Sequence, residues 1–158
     1  VSTGDEIMNF NLGDVVIRDE FVELIVDKQR SLRSGGSVTY CWAEKTLLTL
    51  PELLHLLAPV ANKCRTIARD TTSLRTGDIV LVNEHPCFVN TDNSNVDVCI
   101  TEDGTEVICV NSETCVILFR ENLLYLLNRL LKKYGNLNSS IVLEDADVSG
   151  LLLLKGVD

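Results

Sequence analysis

Between Arg75 and Arg120 the sequence has no lysine or arginine at all. Proteins that hold nucleic acid do so along a cationic track that releases counterions. This interval cannot supply one, and nucleic acid is not an expected partner. Long apolar runs are also missing. Stretches such as Cys115 to Phe119 and Leu151 to Leu154 fall far short of the about 20 residues that cross a bilayer, so no membrane span is expected. Histidine is scarce, with only His55 and His85, and none of the six cysteines forms a Cys-x-x-Cys pair. Tetrahedral zinc sites draw their ligands in closely spaced pairs, which argues against a structural metal. There is no phosphate-cradling glycine loop, no serine elbow and no His-Glu-x-x-His. Val1 to Phe10 carries Asp5 and Glu6 and lacks the basic then apolar pattern of a secretory signal, so a cytoplasmic location is expected.

What remains is a chain of 158 residues, 46% hydrophobic, which suits one domain with a single core. Its net charge of -9 is unevenly spread. The interval without cations holds Asp78, Glu84, Asp92, Asp97, Glu102, Asp103, Glu106 and Glu113. Basic residues gather in Lys28 to Arg33, Lys63 to Arg75 and Arg120 to Lys133. Cys87, Cys99, Cys109 and Cys115 lie in apolar, strand-like runs, where a free thiol packs as a small hydrophobe. All six cysteines are expected to be reduced.

Patterning along the chain points to an α+β fold. Val15 to Ile17 and Phe21 to Val26 read as a hairpin, Lys28 to Gly36 as a polar loop, and Ser37 to Trp42 as a strand. Thr49 and Glu52 form a capping box, with Pro51 tolerated in the first turn. Leucines from Leu53 onward then recur at helical spacing to about Arg69, with Pro59 expected to kink or restart the helix. Five short segments follow: Thr76 to Val82, Pro86 to Asn90, Val96 to Thr101, Thr105 to Val110 and Thr114 to Phe119. Asp103-Gly104 is a hairpin signal that calls for positive φ at both central positions. A second leucine helix runs from Arg120 to Tyr134 and stops at Gly135. Ile141 to Leu143 and Leu151 to Leu154 read as short strands or a docking tail.

The two halves echo each other. Gly13-Asp14-Val15-Val16-Ile17 returns as Gly77-Asp78-Ile79-Val80-Leu81, and Leu53-Leu54-His55-Leu56-Leu57 returns as Leu123-Leu124-Tyr125-Leu126-Leu127. A diverged duplication of a hairpin, strands and helix would give this, and so would a coincidence between leucine-rich helices. The run Gly77 to Val82, its turn Asn83-Glu84-His85 and the strand Pro86 to Val89 together resemble the opening hairpin of SH3-like barrels in translation and transcription factors. The resemblance implies a barrel-like antiparallel sheet, and the two leucine stripes call for their leucine-rich amphipathic helices to pack on it. The resemblance carries no functional residue across.

Candidate chemistry is thin. Asp145-x-Asp147-x-Ser149-Gly150 copies the start of a calcium loop, but Gly156 stands where a bidentate glutamate is needed. Four overlapping Leu-x-x-Leu-Leu matches are what any leucine-rich core helix produces. His85 and Cys87 lack a third group to make a catalytic set. The sequence therefore points to a non-enzymatic protein-interaction or assembly module, an adaptor or structural component of a larger complex, with no cofactor and no metal. Its candidate binding residues are Asp97, Glu102, Asp103 and Glu106, an acidic strip suited to a partner protein with a basic surface. Self-association stays open. Two alternatives differ in class: an acidic mimic of DNA that inhibits a nucleic-acid-binding protein, and an SH3-like nucleic-acid module using Arg129, Lys132 and Lys133.

Overall fold

A glycine with positive φ followed by a buried aspartate opens each half of the chain. Gly13 has φ +86 and Gly77 has φ +105, a region that L side chains avoid. A Cβ on Gly13 would stand 2.8 Å from Leu50, and one on Gly77 would stand 3.2 Å from both Arg120 and Leu24. Leu50 and Arg120 are the first residues of the two long helices. The Gly-Asp echo thus marks where a strand begins with a helix start pressed against it.

The computed structural model describes residues 10–27, 30–33, 36–39, 45–61, 74–91, 98–108 and 114–148. After Gly13-Asp14 come β1 (Val15–Arg18), β2 (Phe21–Ile25), β3 (Arg30–Arg33), β4 (Gly36–Thr39), β5 (Lys45–Leu48) and α1 (Leu50–Ala61). After Gly77-Asp78 come β6 (Ile79–Val82), β7 (His85–Asn90), β8 (Val98–Ile100), β9 (Glu106–Ile108), β10 (Thr114–Leu118) and α2 (Arg120–Tyr134), then a short α3 (Asp145–Val148). Both sheets are antiparallel and follow one path. Four strands run as a meander and the fifth returns beside the first, giving the orders β4-β3-β2-β1-β5 and β9-β8-β7-β6-β10.

The equivalence extends to details. The β1–β2 turn holds Asp19 and Glu20 at φ 51 and 68, and the β6–β7 turn holds Asn83 and Glu84 at the same two values. Each returning fifth strand meets its partner with a bulge, at Val15/Val16 in the first sheet and at Val116/Leu118 in the second. Thr49 and Glu52 close the expected capping box on α1: Thr49 N–H donates to Glu52 Oε1 at 2.8 Å, and Glu52 N–H donates to Thr49 Oγ1 at 3.4 Å. Helix α2 ends at Gly135 in the left-handed conformation, whose N–H donates to the Leu131 carbonyl.

The two helices exchange sheets. α1 packs on β7 of the second sheet and α2 packs on β2 of the first. The largest core therefore draws on both halves, with Val22, Leu24, Leu53, Leu54, Phe88, Ile117, Leu123 and Leu127 in one cluster. Leu53, Leu54, Leu56 and Leu57 are buried around an exposed His55, and Leu123, Leu124, Leu126 and Leu127 around an exposed Tyr125. These leucines are core residues. None of the helices among the described residues is long and apolar enough to cross a membrane.

The fold is α+β, with several differences from the sequence reading. Neither sheet closes into the barrel that the hairpin resemblance implied. Lys28 to Gly36, read as a loop, contains β3, because Ser31 and Arg33 serve a buried carboxylate described below. Strand β5 had no sequence signal. Helix α1 continues through Pro59 to Ala61; residues 62–69 of the expected helix lie outside the described residues. Ile141 to Leu143 forms no strand: α3 follows it instead, fixed to α2 by Lys133 Nζ, 2.7 Å from Asp147, and by Arg129, which donates to the Asp147 carbonyl at 2.9 Å. Asp147 is thus taken up by an ion pair. Leu151 to Leu154 lies outside the described residues.

Candidate functional site

Strand alternation gives the second sheet two buried faces. Ile79, Phe88 and Ile117 look toward the shared core, while Val80, Cys87, Val89, Cys99 and Val116 form a separate apolar cluster on the opposite face, with Val82 and Val107 at its margin. Where that second face runs out, an open cavity of about 630 Å³ lies between the β6–β7 turn and the β8–β9 turn. Val82, Cys87 and Val107 form its apolar floor; Asn83, His85, Thr101, Glu102, Asp103 and Thr105 line the rest. Its volume is that of a small-ligand site.

The acidic wall is built by the β8–β9 turn. Thr101 N–H donates to the Thr105 carbonyl at 2.9 Å and Gly104 N–H to the Thr101 carbonyl at 2.9 Å. Only Gly104 of this loop has positive φ, +88. The turn is a three-residue loop with a left-handed glycine, rather than the two-residue form expected from Asp103-Gly104. The Asp103 carboxylate faces inward along the loop and accepts from the Thr101 hydroxyl and, at 3.0 Å, from Thr105 N–H. Those hydrogen bonds, the Thr101 hydroxyl first, hold its pKa down to about 2. Glu102 is exposed, and its Oε1 lies 3.1 Å from Nδ1 of His55 on α1.

Of the four residues singled out from sequence, Glu102 and Asp103 stand together on the cavity rim. Glu106 pairs with Ile100, whose side chain packs toward the shared core, so it belongs to the opposite face of β9 from Val107. Asp97 lies outside the described residues. Sequence reasoning missed the apolar floor of the cavity. It did single out His85 and Cys87, for chemistry the geometry does not favour: Cys87 is fully buried, its thiol donates to the His85 carbonyl at 3.6 Å, and burial pushes its pKa up to about 11. A thiol so protonated at neutral pH is a poor nucleophile. An Asp103 carboxylate ionised far below neutral pH is equally unsuited to giving and taking protons there.

The first sheet shows what occupies the same place when the cavity is filled. By strand register, Val16 faces Glu23 as Val80 faces Cys87, and Leu24 faces Leu32 as Phe88 faces Ile100. Arg18, Glu23 and Arg33 therefore correspond to Val82, Cys87 and Thr101. Glu23 is fully buried; Arg18 Nη2 lies 2.9 Å and Arg33 Nη2 3.0 Å from its Oε2, and the Ser31 hydroxyl donates to Oε1 at 2.6 Å. Arg33 also lies over the Phe21 ring, 4.9 Å from its centroid. Two long cations fill in the first sheet what a valine and a threonine leave open in the second.

The cysteine expectation needs one correction. Cys87 is a free thiol, as expected, but Cys99 is disulfide-bonded, its partner not among the side chains described. A disulfide removes two of the six thiols. Titration of the denatured, non-reduced protein should therefore find no more than four; six would show that Cys99 is free.

Compared with known proteins, the chain matches no family model, no curated protein and no solved structure, so the site stands on its own geometry: an apolar floor, an acidic rim and no lysine or arginine among the described residues that line it.

Proposed function

We propose that the protein is a non-enzymatic interaction module, an adaptor or structural component of a larger complex, which takes a partner protein with a basic surface at the acidic end of its second sheet. The observation that carries this reading is the placement of Glu102 and Asp103 on the rim of an open cavity with an apolar floor. Exposed carboxylates at a turn contribute little to stability. They do steer a cationic surface toward an apolar contact. The two groups there with displaced pKa values are displaced away from neutrality, which favours binding over proton transfer.

The test starts with a pull-down from the native host, identified by mass spectrometry. Replacing Asp97, Glu102 and Glu106 together by Asn, Gln and Gln should leave the melting temperature nearly unchanged. The same variant should associate more slowly with the captured partner at low salt, and added salt should erase the difference. Equal association rates at low salt would reduce the acidic strip to a solvated surface. A cytoplasmic location forms part of this proposal and turns on Cys99, since a persistent disulfide belongs to an oxidising compartment. Thiol titration of protein taken directly from cells decides it.

A further inference from the structure

We propose that the cavity beside the β8–β9 turn binds one arginine side chain of the partner protein, in the place that the first sheet fills with its own Arg18 and Arg33. The inference rests on the interaction-module reading above and narrows it to one side-chain chemistry.

Three observations converge on this occupant. Three residues lining the cavity, Val82, Cys87 and Thr101, are the register equivalents of the Arg18, Glu23 and Arg33 ion cluster. The fold thus shows within one chain that this face of the sheet accommodates guanidinium groups over a buried strand residue. In the second sheet both arginines are replaced by short side chains, and the carboxylate has moved from the floor to the rim, where Glu102 and Asp103 stand. A cation arriving from outside would lay its methylene stem on the half-buried Val82 and Val107, above Cys87, and bring its head to those two carboxylates.

Arginine fits this arrangement better than lysine. Its planar head presents several donors in a fixed fork, is more weakly hydrated than an ammonium, and stacks on a ring such as that of His85 at the rim. Asp103 is already held in place by the Thr101 and Thr105 hydrogen bonds to one of its oxygens, so little ordering of the acceptor is needed. Glu102 is shared with His55, which the incoming guanidinium would displace.

The experiment is an amide NMR titration of the full chain with N-acetyl-arginine amide, run beside N-acetyl-lysine amide and the neutral isostere N-acetyl-citrulline amide. Arginine amide should produce saturable shifts at Asn83, His85, Thr101 and Thr105, with a dissociation constant about tenfold below that of either comparison compound. Val82→Arg restores the residue that the first sheet carries at this position; it should fold normally, since Val82 is only half-buried, and should abolish those shifts by filling the cavity from within. Glu102→Lys, at an exposed turn position, provides a second variant with the same expected loss should Val82→Arg fail to fold. Shifts that are equal for all three compounds, that persist in the folded variants, or that never appear would overturn the arginine site. If they fail while the triple carboxylate variant still slows a basic partner, the broader charge-guided reading stands alone. If both fail, neither reading survives.

Discussion

Replacing Leu127 by alanine should lower the free energy of unfolding by about 2 to 5 kcal/mol, and Leu54→Ala should do the same, because each removes a fully buried side chain from a core that can collapse only in part. The size of the effect follows from where the helices sit. Leu127 belongs to α2, which packs on β2 of the first sheet, and Leu54 belongs to α1, which packs on β7 of the second. Damage in either helix therefore reaches the half of the chain to which that helix does not belong. Urea denaturation followed by far-UV circular dichroism checks the magnitude. Amide exchange checks the sharing, since both sheets should lose protection together in either variant. A variant that melts like the parent yet fails to bind a partner would turn the leucine stripe into a docking surface.

The helix exchange was not legible in the sequence, although the helices themselves were. Leucine spacing and the Thr49-Glu52 box announce α1 because helix periodicity and capping are local properties. Two similar stripes give no indication of which sheet each covers. Strand β3 was hidden for a different reason. Arg30, Ser31 and Arg33 look like loop residues until Glu23 is found buried opposite them, and only then does a polar strand make sense. The cavity was the least accessible feature. Its acidic rim is plain in the sequence, but the site depends on Val82 and Thr101 being small where Arg18 and Arg33 are large. That comparison requires the strand register of both sheets. Cys99 sits in an apolar strand-like run, and composition there gave no hint of a disulfide.

The Gly-Asp echo, plain in the sequence but without a cause there, leads to an asymmetry between the two halves. Thr49, just before α1, and Glu52 in its first turn cap that helix locally, whereas α2 begins after Phe119 with no side-chain cap of its own. Asp78 supplies the missing acceptor from 42 residues away: its Oδ1 accepts from Arg120 N–H at 2.9 Å and its Oδ2 from Arg75 N–H at 3.0 Å. Among the described residues the Asp14 carboxylate accepts only from Asn11 N–H, at 2.9 Å. Removing a carboxylate that serves two backbone donors leaves both to be satisfied elsewhere. Asp78→Ala should therefore cost about 2 to 4 kcal/mol and Asp14→Ala about half that.

The pH dependence sets the two Gly-Asp carboxylates, Asp14 and Asp78, whose pKa values are both raised, apart from Asp103, Glu121 and Asp147, whose values are lowered. Burial raises the Asp78 pKa above the ordinary carboxylate value despite the hydrogen bonds from Arg120 and Arg75. A raised folded-state pKa means that the native state holds the proton more tightly than the unfolded chain. The contribution of this group to stability is therefore most favourable below the ordinary carboxylate pKa and is lost as pH rises through the raised value. Asp103 works in the opposite sense, because its pKa is depressed, and the total curve mixes the two. Asp78→Asn keeps the shape of the side chain and removes its titration. The difference in stability between parent and Asp78→Asn should then shift in favour of the parent as the solution is acidified through the raised pKa toward the ordinary carboxylate value, and should stay flat at neutral pH and above. A difference that moves the other way, or that does not change with pH at all, would show that Asp78 is not the strained buried anion that ties α2 to the start of its sheet.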